Sequence, residues 1–217
     1  MKSAYVSAAH RLGERASGER VIAKGEAAGL DSAARFTASQ LAIVDLPRMV
    51  RLDVPWWNRR AALAVDRFLA EREQPAVFEF GSGSSTVWLA RRAASVVSVE
   101  PHAEWANALS APLRPYPQAE VLVRSVHAGG GAFAAAIGER PDNYDLIVID
   151  GRERAACLHA ALPHLKPGGI VLFDDSGRRR YRRAIRASGL VERRYFGAAF
   201  AKPYPDFTSL LQAPVSG

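Results

Sequence analysis

The residues best suited to chemistry lie between Val77 and Glu100, where a glycine turn stands between two acids. In VFEFGSGSSTVWLA, Glu79 closes an apolar run two residues before Gly81. Gly81 and Gly83 allow a sharp backbone turn and close approach to a ligand. Ser84, Ser85 and Thr86 follow, suited to cap a helix whose first amides lack partners within the helix. Glu100 ends the next apolar run, 19 residues after Gly81, where an acid can accept both hydroxyls of a ribose. A dinucleotide would account for part of this pattern. However, Thr86 stands where the third glycine of G-x-G-x-x-G belongs, and Glu79 sets a carboxylate where a pyrophosphate would come.

A ligand carrying both a positive group and an adenosine removes that conflict. S-adenosylmethionine has an ammonium, a sulfonium and a ribose diol. Its amino group is expected at Glu79, directly or through water. Gly81, Ser82, Gly83, Ser85 and Thr86 would form the surrounding loop, with Glu100 at the ribose. The alternative for the glycine turn is plain tight packing.

A second group of acids comprises Asp150, Asp174 and Asp175, in VIDG and FDDS. If the runs before them are neighbouring strands, three carboxylates share one pocket and raise one another's pKa unless a cation joins them. Oxygen-only ligands suit Mg²⁺ or Ca²⁺. The competing arrangement pairs these acids with Arg152 or Arg178 and needs no ion. Asp150 is also a candidate cofactor-binding and catalytic residue, and His127, a possible general base, is a second catalytic candidate.

These groups need a framework to hold them. Apolar runs at Ala76–Phe80, Val96–Glu100, Glu120–Val123, Asp145–Asp150 and Ile170–Asp174 read as strands. They alternate with helical stretches at Ser84–Arg92, Ala103–Leu113, Gly131–Ile137, Arg154–Leu165 and Arg178–Ser188. Such alternation predicts a doubly wound α/β fold, a mostly parallel sheet with helices on both faces and ligands at the carboxyl ends of its strands. Leu190–Phe196 and Phe207–Gln212 come without a long helix between them and fit an antiparallel pair at one edge. An earlier helix should begin near Pro55, with Ala61, Leu63, Val65, Phe68 and Leu69 as its buried stripe. Residues 1–53 show little apolar periodicity and read as a helical or irregular extension.

In this order, EFGSGSST, VVSVEP, YDLIVIDG and LKPGGIVLFDD resemble the successive motifs of the class I S-adenosylmethionine-dependent methyltransferases. The resemblance spans roughly Trp56 to Gln212. It implies a seven-stranded sheet in the order 3-2-1-4-5-7-6, strand 7 antiparallel, in a domain of residues 54–217. IDG and FDDS also resemble the metal-binding positions of O-methyltransferases that act on catechols and antibiotic sugars. That resemblance implies Mg²⁺ as an optional cofactor at Asp150, Asp174 and Asp175. Arg152 stands where the sugar-modifying enzymes would have an acid. VRSVHAGGG lacks the acid that many members place at the adenine, leaving Ser125, Val126 or His127 for that contact.

The 217-residue chain carries a net charge of +7, and all but four of its 29 basic residues are arginine. This excess suits an anionic partner, whether a small acceptor or a nucleic acid. The arginines of DDSGRRRYRRAIRASG cannot share one helix face, and no array of stacking aromatics accompanies them. Nucleic acid is therefore not expected as a specific partner. No apolar run approaches the roughly 20 residues of a membrane span. The N-terminal residues lack the apolar core of a signal peptide, and one cysteine excludes an internal disulfide. A cytoplasmic protein is the expectation.

The leading function is O-methylation of a small molecule, with oligomeric state left open. Rival readings are an RNA or protein methyltransferase and a non-catalytic nucleotide- or nucleic-acid-binding module. An NAD-dependent oxidoreductase is disfavoured by Glu79 and Thr86.

Overall fold

The computed structural model describes residues 2–126, 131–140 and 142–214. Four helices open the chain: α1 (Lys2–Gly13), α2 (Ala16–Glu26), α3 (Ala33–Ser39) and α4 (Leu46–Arg51). They are followed by α5 (Arg59–Ala70), β1 (Ala76–Phe80), α6 (Ser84–Ala90), β2 (Ser95–Glu100), α7 (Ala103–Leu113) and β3 (Ala119–Val123). The remainder comprises α8 (Ala132–Ala135), β4 (Tyr144–Ile149), α9 (Arg154–Ala161), β5 (Leu165–Asp174), α10 (Arg179–Ala187), β6 (Val191–Gly197) and β7 (Asp206–Gln212).

The strands form one sheet in the order β3-β2-β1-β4-β5-β7-β6. β1 to β5 pair in parallel, and β7 runs antiparallel between β5 and β6. The predicted α/β architecture and strand order are both present. Apolar runs become parallel strands here because both faces of the sheet are covered. Val77, Leu146, Val148 and Leu172 enter the cluster on one face. Phe78, Phe80, Ile147, Ile149 and Phe173 enter the cluster on the other. Each fully buried phenylalanine contributes on the order of 1.5–3 kcal/mol relative to exposure.

The N-terminal helices pack more fully than their weak periodicity suggested. Ile22, Leu30, Ala38, Met49 and Leu52 share one cluster with Trp57, Trp88 and Val148. Each short helix offers few apolar positions, so no long stripe is visible in the sequence. Close contact substitutes for a stripe: a Cβ on Gly25 would lie 2.4 Å from that of Ala38. Side chains of Ser32 and Asp45 cap α3 and α4, each cap being worth about 1 kcal/mol.

Several boundaries moved from expectation, among them the start of β5 at Leu165 rather than Ile170. The helix expected near Pro55 starts at Arg59, because the Asn58 side chain accepts from the amides of Arg60 and Ala61 at 3.0 and 3.3 Å. Asn58 also bridges to Ala199, so the segment before α5 is tied across the carboxyl end of the sheet. α9 ends at Ala161, and a single 3₁₀ turn containing Pro163 leads into β5.

Candidate active site

Gly81 follows β1 with φ +96, and a Cβ there would lie 2.6 Å from Gly151 Cα. The turn after β1 and the turn after β4 therefore touch backbone to backbone, and the contact requires glycine. This brings the glycine loop beside Asp150, whose amide bonds to Phe80 O at 3.0 Å. Gly83 is extended and meets only Ser85 Oγ, at 3.8 Å, so its missing side chain leaves open space rather than relieving a clash.

Glu79 lies opposite Ser98 in the β1–β2 register and is fully buried. Its carboxylate accepts from Ser85 Oγ at 2.5 Å, Thr86 Oγ1 at 2.6 Å and Ser98 Oγ at 2.7 Å. Thr86 Oγ1 accepts in turn from the Gly83 amide at 2.9 Å. Burial pushes Glu79 up to about 7, against the three hydroxyls that favour its charged form. Glu79 and Thr86 lie behind the loop, and the surface offered to a ligand is Gly81–Ser85. Glu100 receives the Ser82 amide and hydroxyl on one oxygen, at 3.0 and 3.2 Å, and the His102 amide on the other at 3.1 Å.

A cavity of about 360 Å³ joins these residues to the ends of β4 and β5. One wall is Gly81–Ser85 with Glu100, and the opposite wall is Asp150, Arg152, Arg154, Asp174, Asp175 and Lys202. Met49, Trp56, Trp105 and Tyr204 line it as well. Trp105 donates to Ser82 O at 2.7 Å and Trp56 to Ala201 O at 3.0 Å, which fixes both rings. Met49 comes from the N-terminal helices.

The acids of the second wall have specific partners. Asp150 accepts from Trp57 Nε1 at 3.1 Å and from Arg154 Nη2 at 2.9 Å. Asp174 accepts from Thr208 Oγ1 at 2.6 Å and from Lys202 Nζ at 3.3 Å. Asp175 faces Arg178 at 2.6 Å and Arg154 at 3.3 Å. Lys202 also donates to Asp206. Arg154 reaches the carbonyl oxygens of Asp150, Gly151 and Asp174 too. Burial, then Asp150, pushes Asp174 up to about 7, while Lys202 and Arg154 pull the other way. Burial also raises Asp150, with Arg154 opposing. Burial works against the charge of Lys202, but Asp174, Asp150 and Asp206 outweigh it and hold the ammonium above its ordinary pKa.

The structure thus brings Gly81, Ser82, Gly83, Ser85, Glu100, Asp150, Asp174 and Asp175 to one cavity. Of the two arginines expected here, Arg178 does pair with Asp175, but the cation shared by all three aspartates is Arg154 rather than Arg152, because Arg154 begins α9 and turns back under the strand ends. Among the described residues, the carboxylate oxygens that gather within 4.8 Å belong to Asp174, Asp175 and Asp206. Asp150 stands apart from that set, drawn to Trp57 and Arg154. An oxygen-only set suits Mg²⁺, but Lys202, Arg154 and Arg178 already face these carboxylates, so a divalent ion does not fit among them with Lys202 in place. His127 lies outside the described residues. Lys202, Arg154, Asp206 and Met49 were not singled out from sequence. The available signal for the first was KPYPD, where Lys202 and Asp206 flank a segment stiffened by Pro203 and Pro205.

Residues 78–176 match the family model described as a methyltransferase domain. A search of curated proteins by sequence finds no match. Among solved structures, the chain is similar to an O-methyltransferase from Bacillus cereus in complex with SAH, at 18% identity and TM-score 0.56, covering 98% of this chain and 100% of that one. It is similar to the O-methyltransferase TomG from Streptomyces achromogenes, involved in tomaymycin synthesis and solved with SAM, at 19% identity and TM-score 0.54, covering 70% and 81%. It is also similar to an rRNA methylase from Streptococcus thermophilus, at 13% identity and TM-score 0.55, covering 71% and 96%. At these identities the likeness is one of fold. No helix among the described residues is long and apolar enough to cross a membrane. Residues 78–176 thus carry a methyltransferase domain, set on a sheet with the strand order of the Rossmann-like methyltransferase fold.

Proposed function

We propose that the chain transfers a methyl group from S-adenosylmethionine to an oxygen of a small acceptor bearing an anionic group, in the cytoplasm. The observation that carries this reading is one cavity with two unlike walls, a glycine loop with Glu100 on one side and an aspartate–cation cluster on the other. Glu100 would hold the ribose diol, Gly81–Ser85 the methionine part, and Asp150 the junction between the walls. Glu79 would act from behind the loop, holding Ser85 and Thr86 in place and adding negative potential toward the sulfonium. The acceptor oxygen attacks the methyl carbon as the carbon–sulfur bond breaks, leaving a neutral thioether. Asp150, at the cavity and raised by burial, would take the hydroxyl proton. Holding the two reactants in line can supply several kcal/mol of the barrier reduction. Arg152 is exposed at the cavity wall with no side-chain partner among the described residues, and it is suited to grip a carboxylate or phosphate. No step is assigned to a metal ion.

An RNA acceptor is the second reading, favoured by the exposed Arg179, Arg180, Arg183 and Arg186 on α10. Those residues predict weak, salt-sensitive binding only. Sub-micromolar RNA affinity at physiological salt in a filter-binding assay would promote that reading. The first reading is tested by calorimetry with S-adenosylmethionine, its demethylated product and NAD, each with and without Mg²⁺. Heat from the first two alone is expected, and binding of NAD in their place would reject it.

A further inference from the structure

The carboxylates at the ends of β5 and β7 have the chemistry of a divalent-cation site, yet a lysine occupies their midst. Asp174 ends β5 and Asp206 begins β7, two strands that pair antiparallel. Asp174 lies opposite Thr208, whose hydroxyl takes Oδ1 at 2.6 Å and leaves Oδ2 toward Lys202 Nζ at 3.3 Å. The same ammonium donates to Asp206 Oδ2. The Lys202 side chain is only 11% exposed, so these contacts are fixed rather than fluctuating at a surface. An ammonium has three N–H donors. Two are directed at Asp174 and Asp206, and the residue still lines the cavity, which leaves the third for whatever enters.

We infer that Lys202 is the resident cation of the acceptor end, its ammonium supplying at Asp174 and Asp206 the positive charge that a divalent ion would otherwise bring. The site thereby holds its acids together and presents a donor to the acceptor's oxygen without recruiting metal. The single charge of an ammonium polarises a hydroxyl less than Mg²⁺ does, and it cannot be removed by a chelator. This inference rests on the reading of the second wall as the acceptor side, but its test needs neither cofactor nor acceptor.

The test is titration of Mn²⁺ into the full chain, followed by calorimetry and by the paramagnetic spectrum of the free ion. The wild type is expected to show no saturable binding in the range where Lys202→Met, folded by circular dichroism, binds at least about tenfold tighter, a gain of about 1.4 kcal/mol. Adding Asp206→Asn to Lys202→Met should abolish that gain. A merely structural lysine would lower the melting temperature of the variant and create no metal site. Saturable Mn²⁺ binding to the wild type, lost in Asp174→Asn, would overturn the inference whatever the variant does. Failure of folded Lys202→Met to gain binding would overturn it as well. The S-adenosylmethionine titrations described above decide the functional reading separately.

Discussion

The two walls of the cavity handle buried carboxylates in opposite ways. On the glycine-loop wall, Glu79 is surrounded by the hydroxyls of Ser85, Thr86 and Ser98, and Glu100 by amides and a hydroxyl of Ser82 and His102. Among the described residues no cation pairs with them, so the negative potential of the wall remains available to a positively charged ligand. On the other wall, Asp150, Asp174, Asp175 and Asp206 are matched by Arg154, Arg178 and Lys202. The remaining potential there is nearly balanced, and the exposed Arg152, which has no side-chain partner among the described residues, adds a positive charge to the cavity lining. The contrast teaches that donor type, not the count of acids, decides what each side can receive. Neutral hydroxyls satisfy a carboxylate and leave its charge felt, whereas guanidinium and ammonium groups cancel it.

The largest effect should come from breaking the cation-matched wall. Arg154→Met leaves Asp150 with no cation beside it, only Trp57, and leaves Asp175 with the exposed Arg178, a loss of about 3–5 kcal/mol. That corresponds to a fall in melting temperature of roughly 10 °C for a chain of this size, readable by thermal denaturation. A change within a degree or two would mean that the cluster is not held by Arg154.

Next comes the contact that joins the walls. Gly81→Ala adds a Cβ at a φ of +96 and within 2.6 Å of Gly151 Cα. Strained backbone alone costs about 1–3 kcal/mol, and the clash adds to it. Urea unfolding should register the loss, while Gly83→Ala, in open space, should unfold like the wild type.

The hydroxyl-matched wall gives a smaller effect that depends on pH. Glu79 is raised from an ordinary 4.5 to about 7, so its folded form binds a proton more tightly than its unfolded form. Its contribution to stability is full below about pH 4.5 and is lost as pH rises through about 7. Glu79→Gln removes this slope. Against the wild type, it should gain on the order of 1–3 kcal/mol between pH 5 and 8, from about 1.4 kcal/mol per pKa unit. Parallel stability–pH curves for the two proteins would show that Glu79 stays ionised throughout.

Much of the glycine-loop wall was legible in the sequence, because its parts are local. Glu79, Gly81, Gly83 and Ser85 lie within seven residues, and the strand before them is a continuous apolar run. The burial of Glu79 was less legible, since Ser98 meets it only through the pairing of β1 with β2. The second wall was legible in its aspartates but not in its cations. Asp174 and Lys202 are 28 positions apart and meet because β7 inserts antiparallel beside β5. Arg154 and Arg152 are neighbours in the chain, and only the start of α9 decides which one turns inward. The N-terminal helices carry too few apolar positions each to announce Met49 as part of the cavity.

The division of labour between the walls is tested most directly by the affinity for S-adenosylmethionine of two single variants, measured by calorimetry beside the wild type. Glu100→Ala should weaken binding at least about tenfold, through loss of charge-assisted hydrogen bonds worth roughly 1.5–3 kcal/mol each. Lys202→Met should bind within about threefold of the wild type, a difference under about 0.7 kcal/mol. Unchanged affinity in Glu100→Ala, or a loss in Lys202→Met as large as the one expected for Glu100→Ala, would contradict the assignment of cofactor and acceptor to separate walls.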